Sequence, residues 1–257
     1  MADVEAPFTL TALGTGPAWS DRANSSGAAY LVRHGQTAIL LDLGQGSFPR
    51  LFGAIEPSTL DAVVVSHLHP DHFIDLVPLR HYLAHQLDAP RSVRVIGPDA
   101  LAGRLDGLHD RVGFTALTLA CEAFPAAPIM IGALELETRR VSHTAESHAI
   151  RLAPVDGPGL VYSGDCGRAD DLAPLIRPGD TLLVEVSFGA GPVPPGALHL
   201  DAPAVSRLVR ATRPGRVLLT HLLMGLDREA PVRIVGKAMN GPVTLLEPGD
   251  LVDLPRA

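Results

Sequence analysis

Residues 63–72 read V-V-V-S-H-L-H-P-D-H and set four side chains able to bind a divalent cation, His67, His69, Asp71 and His72, within six positions. Neutral imidazole and carboxylate suit zinc or a similar ion, and two ions side by side would use all four groups. His67 and His69 are two apart, so on extended backbone both can point the same way. Asp71 and His72 follow a turn and can approach a second centre. The preceding Val63-Val64-Val65-Ser66 reads as the end of a buried strand that Pro70 stops from continuing, which leaves the polar cluster on a loop.

Three further residues of the same chemistry fall at matching places. His143 follows a strand read over 133–141, Asp165 follows one over 160–163 in a Gly164-Asp165-Cys166-Gly167 turn, and His221 directly follows one over 216–220. With His67 they all lie at or just beyond the carboxyl ends of predicted strands, where sheet loops gather into one crevice. Independent histidines have no reason to keep that position. Asp42, ending a strand over 37–42, either supports a metal ligand or caps its own turn.

The elements that must position these residues follow from pattern and punctuation. A strand over 8–13 ends in Gly14-Thr15-Gly16-Pro17, which lacks the third glycine and the immediate helix of a dinucleotide fingerprint. A polar loop through Trp19, Arg22, Asn24 and Ser25 leads to a hairpin over 28–33 and 37–42, with His34 expected as an exposed turn residue. Ser47 is expected to cap a short helix through 52. Residues 73–87 have helical spacing despite Pro78, which places His81 and His85 on a helix surface. Strands are expected at 94–96, 115–124, 150–152, 181–186, 243–246 and 251–254, and helices at 98–108, 169–176 and 202–211, the last capped by Asp201. The Gly/Pro-rich stretch 187–197 is a long loop of the kind that lines active sites, and it leads to His199.

Composition bounds the rest. The chain has 257 residues, 46% hydrophobic and 19% charged, which fits a folded globule with a sizeable core rather than a disordered chain. A formal net charge of −7 argues against broad contact with a nucleic-acid backbone. Arg22, Arg33 and Arg80 are read as surface arginines, any of which could touch a single phosphate. Two cysteines, Cys121 and Cys166, form no zinc-finger spacing and no disulfide framework. Residues 1–5 lack the basic and apolar regions of a secretory signal, and no apolar run reaches membrane-spanning length, so a soluble, cytoplasmic protein without membrane contact is expected.

The combination of H-x-H-x-D-H after a hydrophobic strand, a later strand-end histidine, a strand-end S-G-D and a final L-T-H resembles the metallo-β-lactamase superfamily over almost the whole chain. The resemblance implies an α/β fold, a four-layer αββα sandwich of two mixed β-sheets, as a single hydrolase domain over residues 1–257. Within the superfamily the chain looks most like the ribonuclease Z and cyclic-nucleotide phosphodiesterase branch. That likeness implies two Zn2+ ions, with Mn2+ as an alternative. His67, His69 and His143 would hold one ion, Asp71, His72 and His221 the other, and Asp165 would bridge them. It also casts Glu185 and His199 as an acid-catalytic pair; His148, close in sequence to the ligand candidate His143, competes as proton donor, and Asp71 is expected to help orient the attacking water. His199 is followed by Leu200-Asp201 where the branch usually has a small hydroxyl residue.

These readings imply hydrolysis of a small phosphodiester, such as a cyclic nucleotide, by metal-activated water. The alternatives are a metallo-hydrolase of a thioester, lactone or lactam, a ribonuclease Z-like endoribonuclease, and a metal-bound module without catalysis. Ribonuclease Z enzymes generally carry a tRNA-binding arm between the positions of His143 and Asp165. Residues 144–164 here are accounted for by two strands and a turn, so folded RNA is not an expected partner. A homodimer is suggested by the resemblance alone.

Overall fold

Strand alternation decides the layering. In β1 (Phe8–Gly14) the side chains of Phe8, Leu10 and Ala12 enter one apolar cluster while Leu13 enters another, as expected where successive side chains face opposite sides. The computed structural model describes residues 6–155 and 157–255, so residues 1–5, read above for a leader, lie outside it. β1 pairs with β2 (Ala29–His34), which turns back into β3 (Thr37–Leu41), and β4 (Ala62–Val64), β5 (Val93–Gly97) and β6 (Leu119–Ala123) continue the sheet. Its far edge is the last strand of the chain, β14 (Leu251–Asp253). The second sheet is built from β7 (Ile129–Ile131), β8 (Leu134–Arg140), β9 (His148–Pro154), β10 (Leu160–Tyr162), β11 (Thr181–Glu185), β12 (Arg216–Thr220) and β13 (Val243–Leu245).

Among the described residues each sheet has seven strands, in the orders β14-β1-β2-β3-β4-β5-β6 and β13-β12-β11-β10-β9-β8-β7. Each is part antiparallel and part parallel, the change falling at β3 in the first sheet and at β10 in the second. Tyr30, Ile39 and Val64 of one sheet and Ile150, Leu160 and Leu183 of the other share the apolar layer between them. The outer face of the first sheet packs on α1 (Phe48–Ala54), α3 (Leu76–His85) and α4 (Leu101–Leu108), through Leu51, Leu79 and Leu105. α5 (Ala202–Thr212) and α6 (Glu229–Gly236) cover the second through Val205, Leu208 and Val235. The result is the four-layer αββα sandwich. Among the described residues no helix is long and apolar enough to cross a membrane.

Several local expectations need correction. Residues 169–176 form only a 3-10 turn, Ala169–Leu172, because Pro174 removes a backbone donor within the expected helix. β6 begins at Leu119, residues 115–118 being held in turns, and the short β7 and the amphipathic α6 were not foreseen. Ser47 does not cap α1 with its side chain. Its hydroxyl donates to the Gly44 carbonyl at 2.6 Å, while the Asp75 carboxylate accepts from the Phe48 amide at 2.8 Å. His34 is buried, edge-on to Phe8, and Arg80 is buried too. The Arg80 guanidinium lies over the Phe114 ring and donates to the Phe114 carbonyl at 2.7 Å, an aromatic cover that sequence spacing does not reveal.

In the interior of the second sheet, Arg151 of β9 is almost wholly buried and paired with Asp180, which precedes β11, two contacts of 2.8 and 3.0 Å. Asp180 also accepts from the Gly159 and Arg177 amides, tying β9, β10 and the start of β11 together. Asp180→Ala would leave a buried guanidinium without its counter-charge, and equilibrium urea unfolding should show a loss of about 3–5 kcal/mol.

Candidate metal centre

The site forms where parallel strands of both sheets end at one rim. After β4 the chain runs through His67 and His69 into α2 (Pro70–Phe73), so Asp71 and His72 stand in the first turn of a short helix rather than on the loop expected. Pro70 suits that first position, since its missing amide hydrogen would have no intrahelical acceptor. The loop is latched to its neighbours by backbone bonds, the Ala28 amide to the Asp71 carbonyl and the Leu43 amide to the His72 carbonyl, both 2.8 Å. Gly44 is required here, because a Cβ at that position would lie 1.9 Å from the Asp71 carbonyl oxygen. His143 follows β8, Asp165 follows β10, Glu185 ends β11, and His221 follows β12.

Two groups of side chains converge. His67, His69, His143 and Asp165 form one and Asp71, His72, Asp165 and His221 the other, the ligand atoms in each lying within 4.8 Å of one another. The two oxygens of Asp165 divide between them. Oδ2 lies 3.7 Å from His67 Nε2 and 3.6 Å from His143 Nε2, whereas Oδ1 lies 3.3 Å from His72 Nε2 and 3.4 Å from His221 Nε2. Asp71 Oδ2 is 3.2 Å from His221 Nε2. All seven residues singled out by the sequence as metal ligands are therefore brought together, in the grouping that the resemblance implied.

Asp42 settles which nitrogen His72 presents. Its ionised carboxylate can only accept, and it lies 2.7 Å from His72 Nδ1, so Nδ1 carries the hydrogen and Nε2 offers a lone pair to the centre. The same carboxylate accepts from the Ser66 amide and hydroxyl at 2.6 and 2.8 Å and from the Tyr162 hydroxyl at 2.7 Å. Of the two roles open to Asp42 from sequence, the bonds run to His72 and Ser66 of the ligand-bearing loop rather than to its own turn. His143 Nδ1 likewise donates to the Leu198 carbonyl at 2.7 Å, and His221 Nδ1 to the Ser187 hydroxyl at 3.1 Å.

A divalent cation fits this donor set. His67 Nε2 and Asp165 Oδ1 are buried without a hydrogen-bond partner, a costly arrangement unless an electrophile satisfies them. Burial, with His72 nearby, holds His67 well below the usual imidazole range, so it stays neutral and able to ligate. Burial would lower His72 as well, but the Asp165 and Asp42 carboxylates hold it well above that range. Against the cost of its own burial, Asp165 is held well below the ordinary carboxylate value by His221 and His72. The carboxylates thus stabilise positive charge among the imidazoles, whether carried by protons or by metal.

Glu185 and His199 stand beside the second group. His199 Nδ1 donates to Glu185 Oε1 at 3.0 Å, and burial, which would lower the ring, is outweighed by this bond and charge, so its pKa is raised. Glu185 is completely buried, held by the Cys166 amide at 2.8 Å and by the Ser187 hydroxyl. The competing His148 is not brought into either group. Its ring stacks on Phe124 with centroids 3.9 Å apart and its Nδ1 donates to the Glu146 carbonyl. His81 packs on both His85 and His109, and neither His81 nor His85 joins either group. Burial pushes the Cys166 thiol up to about 12, which leaves it inert.

Sequence reasoning missed Ser66, Tyr162 and Ser187. For Ser187 a signal existed, since a residue two beyond Glu185 on extended backbone shares its side. For Tyr162, on the opposite sheet from Asp42, none did. If Asp42 orients His72 as described, Asp42→Asn should weaken metal affinity about 10- to 100-fold. Competition against a chromogenic chelator measures it.

The sequence pattern of a family described as "Beta-lactamase superfamily domain" matches residues 38–222. An uncharacterized protein of Mycobacterium leprae is 30% identical over 239 residues, covering 90% of this chain and 84% of its own. A probable metallo-hydrolase of Bacillus subtilis, YhfI, is 28% identical over 206 residues (78% and 81% covered), and a ribonuclease Z of Mycobacterium marinum is 30% identical over 190 residues (71% and 67% covered). The crystal structure of the metallo-beta-lactamase fold protein YhfI from Bacillus subtilis superimposes with a TM-score of 0.84 at 24% identity, covering 96% of this chain and all of that one. With the matched region running from β3 to the residue after His221, the chain belongs to the beta-lactamase superfamily.

Proposed function

We propose that this chain is a dinuclear metal-dependent phosphodiesterase, a single domain that hydrolyses a small phosphodiester such as a cyclic nucleotide. The observation that carries the reading is the division of the Asp165 oxygens between two imidazole groups, with the Glu185–His199 pair alongside. His67, His69 and His143 would hold one ion, Asp71, His72 and His221 the other, and Asp165 both. Zinc suits these donors, with manganese as substitute. The chemistry supplied by a bound pair of ions is activation of water near neutral pH and neutralisation of charge on phosphoryl oxygens.

The protein's own groups do the rest. Asp71, at the rim of the second group, can accept a hydrogen bond from the attacking water and aim it. His199 has Nδ1 committed to Glu185, which leaves Nε2 to reach the substrate. With its pKa raised, the ring is stocked with a proton for the leaving oxygen, and Glu185 stabilises the imidazolium until the proton is given up. Leu198 of the same loop accepts from His143, so the segment bearing the acid is fastened to the first group. The compact run from β8 through β9 to β10 supports a small substrate over a folded RNA.

Metal-loaded protein assayed on cyclic AMP, a chromogenic phosphodiester, a lactone, a thioester and a lactam tests the class. Turnover should be confined to the phosphodiesters and vanish in Asp165→Ala; turnover of carbonyl substrates alone would refute the phosphodiesterase. His199→Ala should lower kcat by about 10²–10⁴-fold with metal content retained, and loss of metal in that variant would remove His199 from the role of acid.

A further inference from the structure

A polar cavity of about 290 Å³ opens where the turn after β1 meets the loop after β13. Thr15, Arg22, Asn24, Ser25, Arg50, Glu247 and Pro248 line it. It adjoins the metal rim on two sides of one residue. The Thr15 carbonyl accepts from the backbone amide of His221 at 3.0 Å, and Arg22 donates to the carbonyl of the next residue, Leu222, at 3.2 Å.

The cavity wall is built rather than incidental. The Gly16 amide donates to the Ser26 carbonyl at 2.9 Å, the Ser25 amide to Arg22 at 3.0 Å, and the Ser26 hydroxyl to Leu13 at 3.1 Å, which close the loop on itself. From α1 the Arg50 guanidinium reaches across to the Asn24 carbonyl at 2.9 Å. Among the described residues neither Arg22 nor Arg50 forms an ion pair, in a chain with net charge −7. The one carboxylate in the lining, Glu247, is already paired with Arg228. Arg22 and Arg50, neither charge-paired, line the space together with Thr15, Asn24 and Ser25, a set of donors that suits a tetrahedral oxyanion.

We propose that Arg22 and Arg50 form a phosphoryl subsite for a second, non-scissile phosphate of the substrate. The inference rests on the phosphodiesterase reading and adds to it a preference for phosphodiesters that carry another phosphoryl group, such as a short oligonucleotide with a terminal phosphate, over those that carry none. Arg22 fixes the pocket relative to the rim through Leu222, and Arg50 supplies the freer guanidinium. Their charge selects among substrates and takes no part in breaking the ester.

The test compares diadenosine monophosphate with and without a 5′-terminal phosphate, pApA and ApA, using metal-loaded protein. The terminal phosphate should raise kcat/KM about 10- to 100-fold, the scale of charge-assisted bonds, and Arg22→Ala and Arg50→Ala should each shrink that ratio. A ratio near one in the unsubstituted protein, or one that both variants keep, overturns the subsite. Added inorganic phosphate that speeds ApA hydrolysis in an Arg50-dependent way would mark a site for free oxyanion and overturn the substrate-borne source. Should neither compound be hydrolysed, the phosphodiesterase reading fails separately. Calorimetric titration with pyrophosphate then decides the pocket, equal affinity in the unsubstituted protein and in the Arg22→Ala/Arg50→Ala double variant overturning it.

Discussion

The carboxylate of Asp42 is completely buried at the seam between the two sheets and accepts four hydrogen bonds, from the Ser66 amide and hydroxyl, His72 and Tyr162. A buried charge is tolerable only when its acceptors are met. These four partners come from the loop that carries the cation-binding motif and from the opposing sheet. The two sheets therefore cannot slide past each other without exposing the charge to an apolar interior, and the ring of His72 cannot rotate without breaking its bond. Tyr30 reinforces the seam, packing on Tyr162 with ring centroids 5.1 Å apart and bonding Thr220 beside His221.

Backbone conformation carries part of the same cost. Asp42 and His221 both adopt left-handed φ, 57° and 59°, a region disfavoured for side-chain-bearing residues. At each the chain leaves a strand and must turn sharply to present a polar group to the rim. Gly164, at φ 55°, does the same for Asp165 without strain, and a side chain there would press on Ser66. Two such residues flanking one site are what a site held by its surroundings, rather than by local preference, requires.

What the sequence made legible was local. The H-x-H-x-D-H run declares its chemistry within six positions, and the recurrence of His and Asp after apolar strands shows that distant residues share a rim. The strands themselves were readable from alternation and turn residues, and the sandwich followed from the resemblance. Burial was harder. His34 ends β2 beside a turn and Arg80 lies on a helix, yet both are covered by aromatic rings outside their own element, Phe8 and Phe114. Tyr162 is one apolar-looking strand residue among many, and only the closing of two sheets aims its hydroxyl at Asp42. The Glu185–His199 pair was reached through resemblance, since the intervening loop gives no periodic signal of where His199 folds back.

Ser187 joins what would otherwise be two devices. Its hydroxyl accepts from His221 and donates to Glu185, whose other oxygen holds His199. The hydroxyl's single hydrogen imposes one polarity on this chain of bonds, so electron density withdrawn from His221 by a bound cation is felt at Glu185 and, through it, at His199. On the proposed reading, cation affinity and the proton-donating strength of His199 would be coupled through this one hydroxyl. A substrate that demanded a stronger acid would then call for a change at Ser187 or His221 as well as at His199.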